Sequence, residues 1–261
     1  MLNSTHHDVI TSTISSDDPS GEVAAQHTLL KSLVLHLVPG IPIIAFYVIF
    51  APFFIDLGFP PAFTLCLAIP VILIPTQLGL LLYAGKKANG KLTLKNIVLY
   101  RKTAKLWQYI LYGFIIVVWS SLCFMLLSKP LGGYIATAFF SWTPEWFLMS
   151  NSFEGSKATL LATWIMIMVF GNILGPAVEE LYFRGYLLPR ISHLKGWASI
   201  LNAVLFSAYH FWSPWEVITR AIAVWPVSYI AYRKQNIYIG MIAHIFLNSI
   251  SSLALLQLIF K

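Results

Sequence analysis

The sequence predicts an all-α, polytopic membrane bundle of about seven transmembrane helices, and three observations carry that reading. The 261 residues are 58% hydrophobic and only 10% charged, whereas a soluble domain carries about 25% charged residues. The apolar residues fall in long runs, several of them reaching the ~20 residues that cross ~30 Å of hydrocarbon. The basic residues concentrate in alternate loops between those runs, as the positive-inside rule requires. The net charge of +7 is therefore read as topology, and no nucleic-acid partner is expected. The expected surroundings are the lipid bilayer.

Residues 1–27 are polar, with His6-His7, Asp17-Asp18 and a Ser/Thr-rich stretch. They lack a basic start followed by a short apolar core and cleavage site, so no secretory signal is read. A flexible cytoplasmic tail is expected there, leaving 28–261 as one transmembrane domain. The first apolar run covers about Leu33–Phe54, interrupted by Pro39-Gly40 and Pro42. The second covers about Ala62–Tyr83 and holds Pro70 and Pro75. Such breakers are tolerated in membranes where neighbouring groups satisfy the freed backbone. The third is Trp107–Leu127, the fourth Leu160–Leu188, the fifth Trp197–Trp212, the sixth Val217–Tyr232 and the seventh Ile237–Phe260. The fifth and sixth are short for a crossing.

Lys86, Lys87, Lys91, Lys95, Arg101, Lys102 and Lys105 lie between the second and third runs. Arg190 and Lys195 follow the fourth run, and Arg233 and Lys234 follow the sixth. The intervening loops are poor in basic residues, so seven spans place the N-terminus in the cytoplasm and the C-terminus outside. Leu92, Leu94 and Ile97–Leu99 make the 86–105 segment either an amphipathic helix on an anionic leaflet or a solvated loop. Cys66 and Cys123 sit in separate apolar runs and read as packing residues.

Ionisable residues inside a membrane are costly and mark candidate sites. In the fourth run, Glu180 and Arg184 are four apart and can pair on one helix face. Glu179, rotated by about 100°, need not share that partner. Phe206 and His210 share a face in the fifth run, as do His244 and Asn248 in the seventh. Counting ~1.5 Å per residue puts Glu179, His210 and His244 roughly 12–20 Å into the layer, so the three helices can bring them to one cavity. A carboxylate, two imidazoles and an amide can activate water: the carboxylate as general base, the others as orienting groups, metal ligands or oxyanion donors. His-Glu-x-x-His and Gly-x-Ser-x-Gly are absent, and no Ser or Cys has an evident neighbouring base. Hydrolysis by water, free or metal-bound, fits better than a covalent nucleophile.

Glu-Glu-x-x-x-Arg-Gly (179–185), Phe-x-x-x-His (206–210) and His-x-x-x-Asn (244–248), in that order on apolar helices, resemble the CPBP family. It comprises the CaaX prenyl endopeptidases, including the Ras-converting enzyme type, and the bacterial Abi or bacteriocin-processing relatives. The resemblance covers about residues 160–250. It implies an intramembrane endopeptidase with a peptide substrate, lipidated in the CaaX type. Glu179 would activate water with His210, while His244 and Asn248 would support the oxyanion. Glu180 and Arg184 would brace the fourth helix, with Phe206 in a supporting place. The family's traditional metalloprotease label makes Glu179, His210 and His244 the candidate ligands of a divalent metal such as zinc; no organic cofactor is expected. In relatives the region before the third motif is often glycine-rich, whereas here it holds Trp225-Pro226. A proton-coupled transporter is the alternative from another class, since buried Glu and His also build relays. Its related halves with matching broken helices are not evident, because the prolines lie early and the ionisable groups late. A catalytically silent immunity or scaffold protein of the same family is the other alternative.

Overall fold

A computed structural model describes residues 24–148 and 153–260. The described chain is helical, with a single isolated bridge between Arg101 and Asn236. α1 (Leu29–Leu37) and α2 (Gly40–Asp56) follow one another across Val38-Pro39, and α3 (Pro61–Ala68) continues through a π turn into α4 (Ile74–Asn89). α5 (Leu106–Leu127) runs through a second π turn into α6 (Gly133–Phe139). α7 (Lys157–Met166), a π segment (Ile167–Leu174), α8 (Gly175–Glu179), a second π segment (Glu180–Leu187) and a 3₁₀ stretch (Leu188–Leu194) form one continuous helical path. α9 (Gly196–Ala208), α10 (Val217–Lys234) and α11 (Ile237–Ile259) complete the order.

Among the described residues, four helices are long and apolar enough to cross a membrane: Leu29–Asp56, Pro61–Asn89, Leu106–Phe139 and Lys157–Leu194. This is an integral membrane protein. The expected count of seven does not follow from the helices alone. The 13 residues of α9 rise only about 20 Å at 1.5 Å each, short of the hydrocarbon thickness.

The helix ends obey local chemistry. Thr28, Ser156 and Asn236 each accept a bond from the backbone N–H three residues on, satisfying an orphan donor at the starts of α1, α7 and α11. Gly90 closes α4 at φ +72°, a left-handed conformation that glycine adopts without a Cβ penalty. Inside α10, Pro226 carries no N–H for the Ile222 carbonyl one turn back. The Trp119 indole of α5 donates to that oxygen at 2.9 Å, and Ser120 donates to the Ala223 carbonyl at 2.8 Å. A proline inside an apolar helix is thus repaired by its neighbour, and the repair locks α5 to α10.

Residues 24–27 of the expected tail dock on the end of the long helical path. The His27 N–H donates to the Arg190 carbonyl at 2.7 Å, and the Gln26 amide donates to the Pro189 carbonyl at 3.2 Å. Residues 1–23 of that tail lie outside the described residues. The basic segment after α4 is no amphipathic helix. Ile97, Val98, Leu99 and Tyr100 are buried, and the Leu99 N–H donates to the Gly185 carbonyl at 2.8 Å. A Cβ on Gly185 would stand 2.6 Å from Val98 Cγ1, which gives the glycine after Arg184 a packing reason.

Candidate active site

Glu179 closes α8, between the two π segments. An i→i+5 turn inserts an extra residue per turn and turns the following side chains off the α-helical course, which is why such turns recur at functional sites. Here the result separates two adjacent carboxylates. Glu180 faces Arg184, whose Nη1 donates to Oε1 at 2.9 Å, so the pair expected from the i,i+4 spacing forms even within a π segment. Glu179 faces the opposite partner set, and its Oε1 accepts a short hydrogen bond from the Tyr209 hydroxyl. Both carboxylates are buried.

The Glu180–Arg184 pair is wholly buried, and each further contact limits the cost of burying it. The Arg184 guanidinium lies 4.0 Å from the centroid of the Phe206 ring, which serves Nη2, an atom without a hydrogen-bond partner. Phe206 is therefore a floor for the arginine, and its carbonyl has a second use. That carbonyl accepts from His210 Nδ1 at 2.7 Å. Because a carbonyl only accepts, Nδ1 carries the proton and Nε2 is left for the cavity. His210 was expected on the fifth helix. It stands instead just past the end of α9, in the turn that leads to Pro214.

His244 on α11 reaches the same carboxylate from another side, with Nδ1 3.1 Å from Glu180 Oε1. A carboxylate on Nδ1 fixes the tautomer and the ring orientation, and again presents Nε2 inward. Asn248, one turn on, donates to the Gly171 carbonyl at 3.0 Å. Its partner lies in the π segment before Glu179. Asn172, next to it, donates to Ser252 Oγ at 2.6 Å, so α11 is stitched to that segment twice.

Glu179, Glu180, Arg184, Phe206, His210, His244 and Asn248 all line one cavity of about 590 Å³. Its remaining wall is largely apolar, with Ile43 of α2, Leu65 of α3, Ile69 of the following π turn, Phe124 of α5 and Val227 of α10 among its side chains. Two residues lay outside the sequence reading of the site: Tyr209, which bonds Glu179, and Arg220, which lines the cavity. Tyr209, adjacent to His210, looked like one more aromatic in an apolar run; a buried hydroxyl needs a partner, and that need was the only signal. Arg220 stands four residues after Glu216, a spacing at which the two could pair on one helix face. It lines the cavity and donates to Ser213 Oγ at 2.7 Å, and among the described residues it makes no ion pair within 4.0 Å.

As metal ligands the candidates do not converge. Among the described residues no three His, Cys, Asp or Glu side chains are grouped so as to hold a metal ion. Glu179 is turned to Tyr209 and His244 to Glu180. The donor set does not fit a zinc centre.

No curated protein and no solved structure gives a significant match to the chain. Residues 160–250 match the family described as type II CAAX prenyl endopeptidase, Rce1-like. That span contains every residue whose side chain was singled out above for chemistry, from Glu179 to Asn248. Over those residues the chain is similar to the Rce1-like CAAX proteases.

Proposed function

We propose that the protein is an intramembrane endopeptidase in which Glu179 is the general base for water. The observation that carries this reading is the cavity, which presents a carboxylate, two imidazoles with Nε2 free and an amide to one apolar space. Water beside Glu179 loses a proton to the carboxylate as its oxygen attacks the scissile carbonyl. The same proton then passes to the departing amine, so one group serves as base and then acid. Tyr209 holds Glu179 in place throughout. His210 accepts from the attacking water through Nε2. His244, when its ring carries a second proton, donates from Nε2 to the developing oxyanion, and the second amide N–H of Asn248 points the same kind of donor at that charge. Glu180 and Arg184 hold His244.

The substrate class fitting the apolar wall is a membrane-associated peptide, with a prenylated cysteine in the CAAX type. The test uses purified protein in detergent and a quenched fluorescent peptide, prenylated or not. Wild-type protein cleaves the prenylated probe. Glu179→Gln preserves size and hydrogen bonding but lowers the rate ~10²-fold or more; cleavage at the wild-type rate sinks the mechanism. Chelator treatment leaves the rate unchanged, and a complete loss restored by zinc would replace this water-only scheme. The seven-crossing map with a cytoplasmic N-terminus belongs to the same proposal. A cysteine placed at Asn89 escapes labelling from outside, and labelling there inverts the map.

A further inference from the structure

His36, on α1 and far outside the matched region, is fully buried and belongs to no step above. Its Nδ1 lies 2.7 Å from the Ser32 carbonyl, so Nδ1 bears the proton and Nε2 must accept. Facing Nε2 at 3.1 Å is Asn202 Nδ2, whose other hydrogen goes to the Phe183 carbonyl at 3.0 Å. That second bond to a carbonyl identifies the Asn202 amide nitrogen and leaves Oδ1 as an acceptor. The Ser228 hydroxyl donates to Oδ1 at 2.9 Å. Ser228 Oγ in turn receives Arg184 Nε at 3.4 Å, and Arg184 Nη1 donates to Glu180.

The direction of this chain is fixed at both ends. Arginine only donates and the Ser32 carbonyl only accepts, so every hydrogen between them runs one way. Ser32, His36, Asn202, Ser228 and Arg184 are all at zero exposure, so water cannot stand in for a missing link. The chain ends on a single atom. Glu180 Oε1 takes both Arg184 and His244, while Oε2 is buried without a partner and faces the space beside Gly240. Arg184 therefore sets where Glu180 sits, and Glu180 sets where the His244 ring points.

We propose that His36 is a positioning residue of the site, acting on His244 through Asn202, Ser228, Arg184 and Glu180. It rests on the reading of His244 as part of the active site. Glutamine at 36 can offer Oε1 to Asn202, whereas phenylalanine fills similar space and leaves that N–H unpaired. His36→Phe lowers kcat on the prenylated fluorescent peptide about 10-fold, with KM within about twofold, the size expected when a reacting group is misplaced by a fraction of an ångström. His36→Gln recovers most of the loss. Wild-type kcat in folded His36→Phe protein, a loss confined to KM, or equal loss in both variants overturns the proposal. Ring-nitrogen NMR supplies an arm that needs no substrate: His36 shows a protonated Nδ1 and bare Nε2, and His36→Phe or Ser228→Ala moves the His244 Nδ1 signal. An Nε2-protonated His36, or a His244 signal unmoved by Ser228→Ala, also overturns it. If wild-type protein fails to cleave the peptide, the protease reading fails alone and the NMR arm still decides the coupling.

Discussion

The region before residue 140 and the region after 157 are both apolar and helical, yet they use polar residues in opposite ways. In the first, the buried polar side chains among the described residues are few and hold no carboxylate, lysine or arginine: His27, Ser32, His36, Thr64, Gln77 and Ser120. Its large hydrophobic side chains, such as Ile49, Ile110, Phe114 and Met125, stand outward and exposed. In the second, Glu179, Glu180, Arg184 and Arg190 are buried along one helical path interrupted by π turns. The first region reads as wall, and its Trp119 satisfies the carbonyl that Pro226 of the second region leaves open. The second spends its irregular backbone on placing charge. In a membrane, backbone irregularity is tolerated only where protein or a cavity covers it, and here it coincides with the cavity. His36 is the point where the wall touches the charged region.

Substitutions that remove half of a buried pair test this contrast most severely. Arg184→Ala leaves the Glu180 carboxylate unpaired and costs about 3–5 kcal/mol. Folded yield in detergent falls well below that of Glu179→Gln, and equal yields would show that Glu180 does not depend on the arginine. Next in size is Tyr209→Phe. A hydrogen bond to a carboxylate contributes about 1.5–3 kcal/mol, so loss of the Glu179 tether lowers the hydrolysis rate about 10-fold while the protein remains folded. An unchanged rate would leave Tyr209 with packing alone.

A smaller effect is expected at the docked segment 24–27, which lies before the first span. Burial first, then Lys31 and Arg190, lowers the His27 pKa from 6.5 to about 4. The unfolded chain then binds the extra proton more readily between these values. The docking contribution is therefore complete above pH 6.5, declines as pH falls, and is lost below about 4. Thermal melting of wild-type and His27→Phe protein between pH 7 and 4 measures it, the wild type alone losing stability through His27. Parallel curves would remove His27 from the account. Smallest of all is Phe114→Leu on the exposed wall, expected to change stability by less than about 0.5 kcal/mol. A large loss there would mean that this face is covered by something other than lipid.

What the sequence by itself determined was local or compositional. Hydropathy and the alternation of basic loops made this a membrane protein, and spacing alone paired Glu180 with Arg184, because four residues along a helical path is a fixed geometric relation. The three short motifs pointed to the family whose model matches residues 160–250. Tertiary structure decided the rest. Glu179 meets Tyr209 across 30 residues, His244 meets Glu180 across 64, and His36 meets Asn202 across 166. No periodicity encodes contacts of that range, since they depend on how whole helices cross. The metal candidates show the same limit: residue types named a possible ligand set, but the helix crossings turned Glu179 to Tyr209 and His244 to Glu180. Chain order says which groups are available, and only packing says which of them share a hydrogen.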